Sequence, residues 1–68
     1  MAINRIKAVL ADKNKTNKWL ASQLKMSETT ISRWTSNRQQ PSIQQLGDVA
    51  SILGVDIREL LKPSKEEE

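Results

Sequence analysis

Four side chains capable of directional chemistry crowd a short stretch near the middle of the chain: Glu28, Thr29, Ser32 and Arg33. Spacings of three and four residues bring such groups onto neighbouring positions of one helix surface. Arg33 offers a planar fork of donors, Glu28 offers acceptors only, and the hydroxyls offer either. Covalent catalysis has little to build on. The sequence contains no cysteine and no histidine, which removes disulfides, thiolate nucleophiles, ordinary zinc sites and imidazole acid–base chemistry. It also shows no nucleophile–base pair and no glycine-rich phosphate loop. The chain is therefore not expected to be an enzyme, and no cofactor, metal or small-molecule ligand is expected.

These groups must be positioned by the surrounding elements, and the apolar spacing predicts five short helical segments. The first runs from about Asn4 to Ala11, with Ile3, Ile6, Val9 and Leu10 on one side. Thr16 is a good N-cap for the second, which carries Trp19, Leu20, Ala21 and Leu24 and stops near Lys25. Ser27 caps the third, about residues 28–36. Met26 before the cap and Ile31 within the helix form a hydrophobic staple. Ile31 and Trp34 face inward, and Asn37 can adopt the left-handed conformation that ends the helix. After the loop Arg38–Pro41, Ser42 and Gln45 make a capping box for the fourth segment. Ile43, Leu46, Val49, Ala50 and Leu53 give that segment its apolar face, and Gly54 ends it. Asp56 caps the fifth, with Glu59 three residues on and Val55 and Leu60 as a second staple; Pro63 stops further winding. No alternating β-branched run suggests a strand. The expected class is all-α, with one domain over residues 1–62 and a flexible charged tail over 63–68.

Sixty-eight residues form one small domain, and domains of this size bury only about 60% of their unfolded surface. Stability must come from efficient helix packing, helped by self-association. Residues 1–38 carry eight Lys/Arg against two Asp/Glu, net +6, whereas residues 39–68 carry three against six, net −3. One basic and one acidic half suggest a face for a polyanion and a face turned away from it, although a solvated lysine-rich surface would look the same by charge alone. No apolar run approaches a membrane span and no signal-peptide pattern opens the chain. A soluble, cytoplasmic protein that does not engage a membrane is expected.

The linker Lys25-Met26-Ser27 joins the second and third segments as a helix-turn-helix requires. Counting Asn17 as the first position, Leu20, Leu24, Met26, Ile31 and Trp34 supply apolar residues at the fourth, eighth, tenth, fifteenth and eighteenth. Ala21 supplies the small residue at the fifth, where the helices cross closely. From Arg5 to Leu61 the chain resembles the Cro/cI-type helix-turn-helix domain, also called the XRE family. The resemblance is carried by Leu20-Ala21, Leu24, Ser27 to Trp34, Pro41-Ser42-Ile43, Leu46, Ala50, Leu53-Gly54-Val55 and Glu59-Leu60. It implies a compact five-helix domain of the lambda-repressor-like type whose third helix enters the major groove. Three features differ from the family pattern. Asn17 stands where the family often has a phosphate-gripping Gln, Lys25 where the turn usually holds Gly, and Thr35 and Asn37 where Glu and Gly are common. A left-handed Lys25 would cost roughly 1–2 kcal/mol.

With Ile31 and Trp34 inward, Thr29, Ser32, Arg33 and Ser36 point outward, and Glu28 sits at the edge of that face in the first turn. Arg33 can bond guanine, Glu28 can accept from the cytosine amino group, and Thr29 can reach a base edge or a thymine methyl. The base-contacting candidates are thus Glu28, Thr29, Ser32 and Arg33. The phosphate-contacting candidates are Asn17, Lys18, Ser36, Asn37, Arg38 and Gln39. Plainer roles stay open: Arg33 as a solvated charge, Glu28 as a residue favoured by the helix N-terminus, and Trp19 as either packed or partly exposed. The expected function is a sequence-specific double-stranded-DNA-binding regulator, a repressor or controller. The alternative is an antitoxin-type module that binds a partner protein as well as DNA. A homodimer on a two-fold site is expected, formed on DNA if not before, through the surface around Ile57, Leu60 and Leu61; the plainer role for these leucines is to close the core, which for Leu60 is the favoured reading.

Overall fold

The computed structural model describes residues 4–61. Four α-helices form there, α1 (Ile6–Asp12), α2 (Asn17–Leu24), α3 (Glu28–Thr35) and α4 (Ile43–Leu53), followed by a single 3-10 turn at Ile57–Leu60. Among the described residues there is no sheet, only an isolated antiparallel bridge between Asn4 and Leu61. Ile3, Pro63 and the expected tail over 63–68 lie outside the described residues.

The helix boundaries follow from local hydrogen-bonding chemistry. Thr16 Oγ1 accepts the Trp19 N–H at 3.0 Å and opens α2, and Ser27 Oγ accepts the Thr30 N–H at 3.2 Å and opens α3. At α4 the capping box is reciprocal: the Gln45 N–H donates to Ser42 Oγ at 3.1 Å, and the Ser42 N–H donates to Gln45 Oε1 at 2.8 Å. Left-handed residues follow all four helices closely: Asn14 at φ 59°, Lys25 at φ 57°, Asn37 at φ 60° and Gly54 at φ 70°. Gly54 adopts that conformation without a side-chain clash, whereas Lys25 bears the Cβ crowding that glycine would avoid.

Two expected elements differ. α1 begins at Ile6 rather than Asn4, because Asn4 forms an antiparallel bridge with Leu61, the Arg5 N–H donates to the Leu60 carbonyl at 2.8 Å, and Asn4 Oδ1 accepts the Ile6 N–H at 3.0 Å. The fifth segment is a 3-10 turn, so the domain has four α-helices rather than five helices. Asp56 does cap it, accepting the Arg58 N–H at 2.8 Å, but Glu59 bonds back to the Asp56 carbonyl through its own N–H instead of completing a box. The Leu60 carbonyl takes the Arg5 N–H at 2.8 Å and Leu61 is extended, so the winding stops after one turn. The Arg58 side chain also donates to Asp56, which holds that carboxyl below the usual range.

One core joins all the elements. Ile6, Leu20, Ile31, Val49 and Leu60 are wholly excluded from solvent, and Trp34 nearly so. Of the apolar residues expected inside, Leu24 is half-buried against the core, and Ile43 is a correction at 74% exposed. Ile43 lies about 70° from the centre of the face set by Leu46, Val49, Ala50 and Leu53 at ~100° per residue, and it opens α4, beyond the reach of the packed helices. Trp19 is half-buried, with the Lys15 ammonium 4.8 Å from its ring centroid, a cation–π distance. Ala21 is buried in α2, consistent with a close approach to α3 there.

Two substitutions in α2 and its turn should move stability in opposite directions. Leu20→Ala removes a side chain with no solvent exposure and should cost about 2–5 kcal/mol, read as a lower denaturation midpoint by circular dichroism. Lys25→Gly relieves a left-handed cost of roughly 1–2 kcal/mol against about 0.5–1 kcal/mol of added glycine entropy. Its midpoint should therefore rise; a fall would mean that the Lys25 side chain makes a compensating contact.

Candidate nucleic-acid interface

α3 divides into two faces. Ile31, Trp34 and Thr35 are buried, while Glu28, Thr29, Ser32, Arg33 and Ser36 are exposed. An open surface depression is lined by Glu28, Thr29, Ser32, Arg33, Ser36 and Arg38. It gathers all four residues singled out for base contacts and two of those singled out for phosphates. The inward anchors set this face: a helix fixed by Ile31 and Trp34 must turn Thr29, Ser32 and Arg33 outward.

Ser27 caps α3 through both its hydroxyl–amide bond and a 2.9 Å contact with the Thr30 hydroxyl. That cap leaves the Glu28 carboxylate in the first turn, where the helix dipole favours an anion. Among the described residues the ion pair that forms is Asp56–Arg58, at 3.1 Å, so Glu28 and Arg33 are not paired with each other. At the other end of α3, the Arg33 carbonyl accepts the backbone N–H groups of Arg38 and Gln39 at 2.9 and 3.2 Å. This folds the exit loop against the helix and brings Arg38 beside the depression.

The remaining phosphate candidates are placed unevenly. Lys18 is exposed in the first turn of α2, and Gln39 is exposed in the exit loop. Asn17 is half-buried; its Nδ2 donates to Thr35 Oγ1 at 3.2 Å, and Thr35 in turn donates to the Ser32 carbonyl at 3.1 Å. Asn17 thereby ties the start of α2 to the end of α3. The Asn37 side chain is turned inward as well, with Oδ1 accepting from the Asn4 N–H and from Gln40 Nε2 at 3.1 Å. Asn4 and Gln40 were not singled out by the sequence. Asn4 lies 33 residues from Asn37 along the chain, and no local pattern links them.

Apart from Glu28, the acidic groups of the described residues lie elsewhere: Asp12 is exposed at the end of α1, and Asp48, Asp56 and Glu59 are exposed on α4 and the segment after it. No group of His, Cys, Asp and Glu among the described residues is arranged to hold a metal ion. No helix among them is long and apolar enough to cross a membrane.

A family model for the Cro/C1-type HTH DNA-binding domain matches residues 5–66. This chain belongs to that family. The Cro/C1-type assignment agrees with the helix pair α2–α3 joined at Lys25-Met26-Ser27 and with the outward polar face of α3. The chain is 35% identical over 57 residues to the HTH-type transcriptional activator BcrR of Enterococcus faecalis. That match covers 84% of this chain but 28% of the relative, so the chain spans little more than a quarter of the curated protein. A crystal structure of a presumed DNA-binding protein from Bacteroides fragilis superposes with a TM-score of 0.89 at 56% identity. It covers 91% of this chain and 100% of the other. The Cro/C1-type domain is thus a DNA-binding domain, with double-stranded DNA as its partner.

Proposed function

We propose that this Cro/C1-type domain recognises specific sequences by laying α3 in the major groove, and that it regulates transcription as a repressor or controller. The observation that carries this reading is the single depression formed by Glu28, Thr29, Ser32, Arg33, Ser36 and Arg38. An α-helix fits the major groove, where each base pair presents a distinct set of donors and acceptors. Arg33 is suited to guanine O6 and N7, Glu28 to the cytosine amino group, and Thr29 and Ser32 to a base edge or a thymine methyl. Lys18, Ser36, Arg38 and Gln39 border this face as phosphate contacts, which position the domain without reading sequence. For Asn17 the backbone N–H at the opening of α2, with no partner inside the helix, supplies the phosphate contact. For Asn37 the role is to shape the exit loop.

Residues 1–62 are taken as the DNA-binding unit and 63–68 as a charged tail. The activator from E. faecalis has most of its length outside the match, so the activating role of that protein does not transfer with the domain. The proposed dimer surface rests on Ile57 and Leu61. Leu60 is wholly buried and Ile57 packs partly against the core, which leaves Leu61, 41% exposed, with the outer edge of Ile57. A contact of that kind falls below the roughly 1,200 Å² of a stable interface, consistent with assembly on DNA rather than before it.

Two measurements test these proposals. Binding should weaken steeply with salt, with a log–log slope of about −0.9 per neutralised phosphate. Arg38→Ala should weaken binding to all duplexes alike, while Arg33→Ala should also remove roughly 1–3 kcal/mol of discrimination at one base pair. Both variants binding every duplex as well as the parent would remove these assignments. For the dimer, sedimentation with a palindromic duplex should show two copies per duplex, with half-site centres about 34–36 Å apart. One copy at saturation, with no symmetric site selected from random DNA, refutes it.

A further inference from the structure

Three carboxamides form a closed ring beneath the exit loop of α3. The Asn4 N–H donates to Asn37 Oδ1 at 2.9 Å, Gln40 Nε2 donates to the same oxygen at 3.1 Å, and Asn4 Nδ2 donates to Gln40 Oε1 at 2.8 Å. Asn4 Nδ2 also donates to the Trp34 carbonyl at 2.9 Å, and Asn4 Oδ1 accepts the Ile6 N–H at 3.0 Å. Asn4 is 6% exposed, a polar side chain inside the core boundary, and no buried side-chain polar atom among the described residues lacks a partner.

The orientation of each amide is dictated by the next. A backbone N–H can only donate, so Asn37 must present its oxygen to Asn4. Gln40 must then present nitrogen to Asn37, which leaves its oxygen for Asn4. Asn4 must answer with nitrogen, as the Trp34 carbonyl also requires, and its oxygen is left for the Ile6 amide. Carboxylates cannot take the places of Asn4 or Gln40 in this ring, because an ionised acid has no donor. Two further connections brace Asn4 from the other side: its bridge to Leu61 and the adjacent bond from the Arg5 N–H to the Leu60 carbonyl.

Arg38 and Gln39 lie between two members of the ring, Asn37 and Gln40. We propose that Asn4 is a positioning residue for DNA binding: through Asn37 and Gln40 it fixes the exit loop, and so sets where Arg38 meets the phosphate backbone. Asn4 itself touches no DNA. A surface loop held only by its own backbone bonds would let the Arg38 charge wander and lose the geometry on which a phosphate contact depends. The proposal rests on the DNA-binding reading above and adds a residue that this reading did not include.

The test uses the full chain and a duplex selected by the parent protein from random-sequence DNA. Asn4→Ala should lower affinity about tenfold at a temperature where circular dichroism shows it folded, and Gln40→Ala, at an exposed position, about threefold, the range that loss of one or two hydrogen bonds supplies. The salt slope of Asn4→Ala should fall by about one phosphate's worth. Arg38→Ala added to Asn4→Ala should then weaken binding much less than it does in the parent. Val49→Ala serves as the stability control: it loses a comparable share of thermal midpoint in the core away from the interface, and its salt slope should stay that of the parent. Should Asn4→Ala fail to fold, Gln40→Ala and its combination with Arg38→Ala decide the matter. Parent-like affinity in the folded ring variants, or effects of Asn4 and Arg38 that simply multiply, overturns the positioning role while leaving DNA binding intact. A parent protein with no salt-dependent duplex binding, or unaffected by Arg38→Ala, overturns the DNA reading itself and the positioning role with it.

Discussion

The burial of Ile31 and Trp34 from one side of an eight-residue helix is the constraint on which the rest depends. A helix that short is not stable alone in water, since isolated helices below about 12–15 residues are marginal. α3 exists because its inner face closes the core against α2, which carries the buried Leu20 and Ala21, and against α1. The same burial fixes its rotation about its own axis. A helix that must put residues 31 and 34 inward has no freedom over where residues 29, 32 and 33 point. Presentation of the polar face and stability of the fold are thus one requirement in this domain. With no disulfide or metal available to the sequence, packing carries both.

Legibility in the sequence tracked the range of the interactions. Thr16, Ser27, Ser42 and Asp56 each cap through atoms two or three residues away, and each was readable because the chemistry is local. Asn37 and Gly54 were readable as stops for the same reason. The inward and outward faces of α3 followed from periodicity, and the structure gathers Glu28, Thr29, Ser32 and Arg33 along one depression. The differences come from contacts between distant segments. The short α1 and the 3-10 turn both arise because residues 4 and 5 pair with residues 60 and 61, a link across nearly the whole chain. Ile43 matched the apolar spacing of α4, but periodicity does not say where a helix extends past its neighbours.

The amide ring shows why neutral polar residues occupy sites where charge would be expected near a polyanion. Asn4, Asn37 and Gln40 satisfy one another through both donors and acceptors. A lysine in such a partly buried place would gain attraction for phosphate but leave acceptors unpaired, and buried unpaired polar groups are costly. The ring also explains how Asn37 can hold a left-handed backbone where the family commonly has glycine. Asparagine tolerates that conformation better than most residues, and its side chain makes three bonds to the surrounding structure: Oδ1 accepts from the Asn4 N–H and from Gln40 Nε2, and Nδ2 donates to the Asn4 carbonyl at 3.5 Å.

The inward turn of Asn17 and Asn37 has an electrostatic consequence. In the family pattern the residue that opens the second helix is often a Gln that grips a phosphate as a neutral donor. Here the shorter Asn17 bonds Thr35, where the family commonly has Glu, so the amide and its partner have both changed. The pair braces α2 against α3, and Asn17 Nδ2 already has a partner inside the protein. In the proposed binding mode, side-chain attraction for the backbone is then concentrated in cations, chiefly Lys18 and Arg38, both exposed on the basic half of the chain. Neutral donors lose little affinity as salt rises, whereas each cation–phosphate contact releases counterions. In that proposed mode, the residues that brace the helix pair shift phosphate binding toward the salt-sensitive component. They also make the placement of a few charges, Arg38 above all, matter more than it would in a domain that shares the backbone among many neutral contacts.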